Sequence, residues 1–407
     1  MTTSGPQSIP GPKNKIAVVT TSRADYSHLY WPLKDLAAHP DVDLKLIVLA
    51  AHLSPEFGDT VAEIERDGFP IASKIECLLS SDSDVGMAKT LGLAVLGLAD
   101  TLAQIRPDLL LIIADRYEML APASVALTLR IPVAHIEGGE ISEGAIDDQV
   151  RNAITKMAHL HFTSSQTARA RVIAMGEEPW RVHRAGAPSL DHLRRSTLLT
   201  RPQLEVALNL PLADHITVVA YHPVTRLPDT TAEAEAVFTA LEKHAQSPGQ
   251  ILFCYPNADA GSHALMTRVR ALCDAHPNAH LFVNLPAITY WSLLHEATLL
   301  LGNSSSGIME AASFALPVVN IGLRQYGRER GPNILDSPDS DAAPDPTDIL
   351  AKIDLAQTPA FRAHLRTLEN PYGDGHAAER IVPRILEVLA SIPRTDLLRK
   401  RAQPLPA

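Results

Sequence analysis

Residues 109–120 read LLLIIADRYEML: five consecutive aliphatic side chains, then Asp115, Arg116 and Glu118 within one turn of chain. An unbroken aliphatic run bounded by polar residues is the pattern of a strand buried on both faces, as in parallel sheets covered by helices. The same pattern recurs outward, at residues 16–19 within KIAVVTTSRADYS, at 43–50 (DLKLIVLA) and at 132–136 (PVAHI). Helix-like stretches lie between these runs, one of them carrying Leu29, Leu33 and Leu36. Strand alternating with helix predicts a parallel sheet with helices on both faces for residues 15–197.

The pattern relaxes over 198–214, where Pro202 and Pro211 act as breakers, and this stretch reads as a linker. It then restarts over 215–375, with ITVVAYHPV at 216–224, ILFCYP at 251–256, LFVNL at 281–285, ATLLLGN at 297–303 and LPVVNIG at 316–322. An amphipathic stretch within 376–395 predicts a closing long helix. The fold class is therefore α/β: two doubly wound domains facing across a cleft, with ligands expected at the carboxyl ends of the strands.

Composition sets the outer bounds. In 407 residues, 46% are hydrophobic and 20% charged, enough apolar surface to offset chain entropy and exclude disorder for the bulk of the chain. A net charge of −10 argues against a nucleic-acid partner, which normally requires a basic face. Cys77, Cys254 and Cys273 are widely spaced and fit neither a disulfide framework nor a zinc pattern, as expected of a reducing compartment. The most apolar stretch, 91–102, is interrupted by Asp100 and falls short of the roughly 18–20 residues of a membrane span. Residues 1–14 are rich in Gly, Pro and Ser without a signal-like apolar core, and read as a loose tail. The expectation is a soluble cytoplasmic protein without a membrane partner.

Five constellations follow the strands. Arg23 lies in TTSRAD after the first strand, where a guanidinium suits phosphate or carboxylate; the alternative is a solvated arginine beside an Asp25 helix cap. Asp115, with Arg116 and Glu118, follows the 109–113 strand and is either a site carboxylate or an N-cap. In HIEGGEISEGAIDDQVRNAITKMAH, the acids Glu137, Glu140, Glu143, Asp147 and Asp148 crowd around Gly138-Gly139, which permits close backbone approach to a ligand. Neighbouring carboxylates partly removed from water have diverging pKa values and make acid–base pairs, while Arg151 reads as a salt bridge to the Asp pair. His222, held by Pro223, is either structural or catalytic, and Asn257 after ILFCYP repeats its placement. Finally GNSSSGIME places Ser304, Ser305, Ser306 and Gly307 at a strand-to-helix turn with Glu310 beyond, and Arg324, Arg328 and Arg330 follow the next strand. Backbone N–H groups and hydroxyls there suit a pyrophosphate, and Glu310 a ribose diol; neither a Walker A loop nor GxGxxG is present.

Taken in order, TTSRADYSHL, ADRYEML, HIEGGE…IDDQVRNAITKMAH, YHPVT and GNSSSGIMEAASFALPVVNIGLRQYGR resemble the hydrolysing UDP-N-acetylglucosamine 2-epimerases that feed sialic-acid biosynthesis. The resemblance implies two Rossmann-like domains in the GT-B arrangement, with the C-terminal helix returning to the first domain. It implies catalytic roles for Asp115, Glu137, Asp147 and His222. Around UDP it implies Arg23, Asn257, Ser304, Ser305, Glu310 and Arg324. No metal or other cofactor is implied, and relatives form dimers or tetramers. The family often has Gly where this chain has Ala114. The implied reaction converts UDP-N-acetylglucosamine to free N-acetylmannosamine and UDP, by elimination to a 2-acetamidoglycal and hydration. Alternatives are the same reaction on a UDP-2,4-diacetamido sugar or a non-hydrolysing 2-epimerase. A GT-B glycosyltransferase and an inactive UDP-sugar sensor are more distant.

Overall fold

The computed structural model describes residues 13–55, 60–79, 83–141, 146–222, 233–255, 262–283, 285–339, 342–365 and 367–402. Glu143, Pro223 and Asn257 lie outside the described residues, as do residues 1–12. Strands β1 (Asn14–Thr20), β2 (Val42–Leu49), β3 (Ile71–Ile75), β4 (Leu109–Ile113), β5 (Val133–Ile136), β6 (Leu160–Thr163) and β7 (Val182–Arg184) form a first sheet. Its order is β3-β2-β1-β4-β5-β6-β7, and every pairing is parallel. A second parallel sheet comprises β8 (Ile216–Ala220), β9 (Gln250–Tyr255), β10 (Ala279–Val283), β11 (Leu299–Gly302), β12 (Val318–Ile321) and β13 (Ile334–Ser337), ordered β10-β9-β8-β11-β12-β13. The α/β class read from the aliphatic runs is thus observed. All five residues of β4 are buried, because helices cover both faces of a parallel sheet.

The chain order reverses between β1 and β4 in the first sheet and between β8 and β11 in the second. At such a switch point the connections leave in opposite directions and open a crevice beyond the strand ends. Helix α1 (Arg23–Ala38) starts in the first of these crevices. Its cap is Ser22, whose Oγ accepts from Asp25 N at 3.4 Å, whereas the Asp25 carboxylate accepts from Thr21 N at 3.1 Å. Asp25 is therefore not the cap itself.

One stretch reads differently in three dimensions, and two others are filled in by the fold. Residues 198–214 are not an open linker: α2 (Val61–Arg66) and α3 (Asp84–Ile105) are followed by α4 (Leu120–Thr128), α5 (Ile146–Met157), α6 (Gln166–Ala174), α7 (Ser189–Arg195) and then α8 (Arg201–Leu208), inside that stretch. Thr200 and Gln203 form a capping box for α8, Pro202 sits in its first turn where no N–H is required, and Leu204 and Leu208 are buried. Short or polar strands β3, β6, β7 and β13 carry too little aliphatic pattern to be read. The 91–102 stretch belongs to α3, a 22-residue helix long and apolar enough to cross a membrane by composition. Gly86, Thr90, Ala94, Leu98 and Leu102, four residues apart, are buried, and Ala94, Leu98 and Leu102 join the first core, so α3 is a packing helix of that sheet.

The second half continues with α9 (Ala234–His244), α10 (Ser262–Ala275), α11 (Ala287–Glu296), α12 (Ser305–Met309), α13 (Pro346–Gln357) and α14 (Pro359–Leu365), after which α15 (Ala377–Ser391) and α16 (Arg394–Leu398) end the described chain. Helix α15 leaves the second sheet and buries Ile381, Val382, Ile385 and Val388 in the first core. Its free N–H groups at Ala377 and Ala378 are each satisfied at 2.7 Å by the buried Asp191 carboxylate of α7. Past α15, buried Arg181 holds Glu178 at 2.6 Å and donates to the carbonyls of Leu397 at 2.8 Å and Arg399 at 3.0 Å. Removing one member of a buried charge pair costs about 3–5 kcal/mol. Arg181→Ala is expected to lower the urea unfolding free energy by about that amount, and an unchanged midpoint would show the C-terminal segment to be incidental to stability.

Candidate active site

Two adjoining chambers occupy the crevice, and the first turn of α1 divides them, with Ala24 lining both. The first, about 270 Å³, is lined by five carboxyl groups, Asp25, Asp115, Glu137, Glu140 and Asp147, facing Arg116, Arg151 and Arg328. The second, about 380 Å³, is lined by Arg23, His222, Tyr290, Trp291, Ser304, Ser306 and Glu310, among others. Among the described residues no group of His, Cys, Asp or Glu is placed to hold a metal ion.

Asp115 and Glu137 stand at strand ends, whereas Asp25 belongs to α1 and Asp147 to α5. Asp115 follows β4 and caps no helix; the next short turn, Tyr117–Met119, begins after Arg116 instead. Asp115 accepts a charge-assisted hydrogen bond from the buried Arg151 guanidinium. That arginine also donates to Glu140 O at 2.8 Å and lies 3.6 Å from Asp148, so it ties Asp115 to α5 rather than serving the Asp pair alone. Glu137, at the end of β5, has φ 64°, and Ala114, at the end of β4, has φ 58°. Both are left-handed conformations that cost an ordinary residue about 1–2 kcal/mol. Ladder bonds hold them there, Glu137 N to Phe162 O at 2.8 Å and Ala114 N to Ile136 O at 2.9 Å. The Gly138-Gly139 turn packs closely within the protein: a Cβ on Gly139 would sit 2.4 Å from Ala168 O, so that position must be bare against α6.

The electrostatics separate these acids. His28, one helical turn after Asp25, donates from Nδ1 to Glu137 Oε1 at 3.1 Å. Burial alone would raise the Glu137 pKa, but His28, with help from Arg328 and His135, brings it below the usual carboxylate range. Asp147, on α5, moves the other way, raised by burial against the pull of Arg116, Arg328 and Arg324. Glu140 is also raised by burial and is engaged by Ser164 inside the protein. His28 was not singled out by the sequence; the signal available was its helical spacing from Asp25.

In the second chamber, buried Asn303 clamps the end of β8, accepting from His222 N at 2.7 Å and donating to His222 O at 2.9 Å. Burial and Arg324 push the His222 pKa down to about 4, so its ring is neutral near pH 7. Gly302 makes this clamp possible: at φ 139° its missing Cβ would lie 2.2 Å from Ala220 O. Ser304, Ser306 and Tyr290 form a hydroxyl cluster, with Tyr290 Oη 2.8 Å from Ser306 Oγ and the two serine oxygens 3.0 Å apart. Helix α12 spans five residues, so its end offers N–H groups with little macrodipole.

Other predicted residues have different placements. Glu310 is not one turn into a continuing helix but ends α12, where its Oε2 accepts from Trp291 Nε1 at 3.1 Å and burial raises its pKa. Ser305 faces the carboxylate chamber. Buried Gly307 packs α12 on the sheet, its missing Cβ 3.1 Å from Val318 Cγ1. Arg324 donates to Asn303 O at 2.8 Å, Arg328 lines the carboxylate chamber, and Arg330 bonds Asp336 at 3.1 Å. Trp291 and Tyr290 lay in a helical stretch with no distinguishing motif.

A family described as UDP-N-acetylglucosamine 2-epimerase matches residues 34–386. The hydrolysing GDP/UDP-N,N'-diacetylbacillosamine 2-epimerase of Campylobacter jejuni is 37% identical over 327 residues, covering 80% of this chain and 84% of that protein. The hydrolysing UDP-N,N'-diacetylbacillosamine 2-epimerase of Legionella pneumophila is 35% identical over 395 residues, covering 95% and 98%. The fold is shared with the Staphylococcus aureus MnaA–UDP structure, at TM-score 0.76 and 17% identity, covering 93% of this chain and 98% of that one.

The left-handed Ala114 gives a direct test of strain beside Asp115. Ala114→Gly is expected to raise the unfolding free energy by about 1 kcal/mol, read as a higher urea midpoint; a lower midpoint would refute the strain.

Proposed function

The chain belongs to the UDP-N-acetylglucosamine 2-epimerase family, and we propose that it is a hydrolysing 2-epimerase of UDP-linked 2-acetamido sugars. The observation that carries this reading is one cavity holding two carboxyls with opposite tendencies, Glu137 inclined to ionise and Asp147 inclined to hold its proton, beside a hydroxyl-lined chamber of nucleotide size.

Inverting carbon 2 requires removing a hydrogen that is not acidic in the ground state. Elimination supplies the driving force: a carboxylate takes the carbon-2 proton, the C–H electron pair forms the C1=C2 double bond, and the C1–O pair leaves with UDP. Water then bonds carbon 1 and a proton reaches carbon 2 from the opposite face. The sum is nucleotide sugar plus water giving the free 2-epimer and UDP. Glu137 is assigned as the ionised base, and Asp147 and Asp115 act at the other steps. Ser304, Ser306, Arg23 and Arg324 would hold the diphosphate as charge develops, with neutral His222 donating a hydrogen bond to it. The sugar is UDP-N-acetylglucosamine or a UDP-diacetamido relative, and the 37% and 35% identities to enzymes named for diacetylbacillosamine favour the second.

Proton NMR in deuterated water with each of the two nucleotide sugars tests the reading. The expected result is UDP and a free 2-epimer deuterated at carbon 2 from one of them; a retained nucleotide sugar would assign the non-hydrolysing reaction instead. Asp115→Asn should bind UDP within about threefold of the parent while turnover falls at least about 100-fold, and full activity would remove Asp115 from the mechanism.

The proposal extends to self-association. Val85, Leu93 and Leu96 of α3, with Leu127 and Leu129 at α4, are exposed, an apolar surface that a second copy would cover. Leu96→Glu is expected to yield monomer by light scattering where the parent gives an oligomer; a monomeric parent would refute it.

A further inference from the structure

His28 sits where the two halves of the molecule meet. It rises from the second turn of α1, just past the wall that divides the chambers, and lines the carboxylate cavity together with Asp115, Glu137 and Asp147. Its Nδ1 lies 3.1 Å from Glu137 Oε1, and that glutamate side chain is only 8% exposed. Glu137 leaves the end of β5 in a left-handed backbone conformation, and His28 is the side chain that meets its carboxylate there. The charges facing His28 come from every side: Glu137 at the end of β5, Glu310 beyond α12 and Asp25 on its own helix. Glu137 in turn faces His28, Arg328 and His135, and the shared cavity adds Asp115, Glu140, Asp147, Arg116 and Arg151.

We propose that His28 is a positioning residue for the 2-epimerisation: its imidazolium, bonded to Glu137, keeps that carboxylate ionised and directed at the carbon-2 proton. A carboxylate so far removed from water would otherwise recover its proton, because burial favours the neutral acid. The arrangement is self-consistent, since burial opposes the His28 charge but Glu137 and Glu310 outweigh it and raise the ring to about 9. Base and partner thus stay an ion pair throughout the neutral range. When Glu137 accepts the substrate proton its negative charge disappears, and the adjacent cation disfavours holding that proton, which eases its onward release.

The inference rests on the 2-epimerase reading, and its test separates the two. Parent, His28→Gln and His28→Lys are assayed for UDP release from UDP-N-acetylglucosamine and UDP-N,N'-diacetylbacillosamine across pH, with UDP affinity measured by calorimetry on each. Glutamine keeps the hydrogen bond without the charge, and lysine keeps the charge. For His28→Gln the expected result is a kcat about 10- to 100-fold lower, with KM and UDP affinity within about twofold. Its acid limb should move up by at least about one pH unit, because Glu137 loses the cation that held its pKa down. His28→Lys should recover most of kcat, restore the acid limb and lose the alkaline decline expected of the parent near pH 9. A His28→Gln enzyme with parental kcat and acid limb would overturn the inference, as would a His28→Lys enzyme no better than His28→Gln. A parent that releases no UDP from either sugar would overturn the function beneath it, whatever the variants do.

Discussion

Placing five carboxyl groups around a cavity of about 270 Å³ is the constraint on which the organisation of this protein turns. Charges removed from water are tolerated only when paired and hydrogen-bonded. The pairing here is asymmetric. Arg151 is almost wholly buried and committed to Asp115 and to a backbone carbonyl, so Asp115 is fixed by a partner from inside the protein. Glu137 is met instead by His28, a side chain from another helix at the edge of the cavity. Asp147 feels Arg116, Arg328 and Arg324 across the cavity, yet burial prevails over them. Three acids within one crevice thereby acquire three environments.

The parallel sheets are what allow this concentration. A strand buried on both faces carries mostly apolar side chains, so most polar residues of each β/α unit are displaced to its ends. Because all strands in a sheet run the same way, those ends accumulate on one side, and the switch points β1/β4 and β8/β11 open them toward each other. The local geometry is strained where it matters. Ala114 and Glu137 adopt left-handed conformations immediately after consecutive neighbouring strands, and the ladder hydrogen bonds of β5 and β6 hold them. Across the crevice, Gly302 and Asn303 achieve the corresponding close approach without a side-chain penalty, fastening β8 to β11 behind His222.

The C-terminal return completes the frame. Helix α15 starts on the Asp191 carboxylate and buries its apolar face beside α1, the helix whose first turn divides the two chambers. Residues far apart in sequence therefore brace the wall on which Ala24, Asp25 and His28 stand. Rigidity at that wall and separate supports for base and acid are what an elimination across one sugar ring requires.

The aliphatic runs at 109–113, 16–19 and 297–303 determined the α/β class by themselves, because strands in a two-sided parallel sheet leave no room for polar alternation. Asp115 and the Ser304–Ser306 turn were legible for the same reason, standing where those runs stop, as was Glu137 after the run at 132–136; Asp147 was legible only from the crowding of acids after it. Strands such as β7 and β13 were not, being too short or too polar to carry a period, and α8 was obscured because Pro202 reads as a breaker until its place in the first turn is known. The sequence supplied the carboxylates without their identities as acid or base. Only the tertiary structure decided that His28 meets Glu137 across 109 positions of chain and that Arg151 is taken by Asp115, since pKa values depend on burial and distance, which no local spacing encodes.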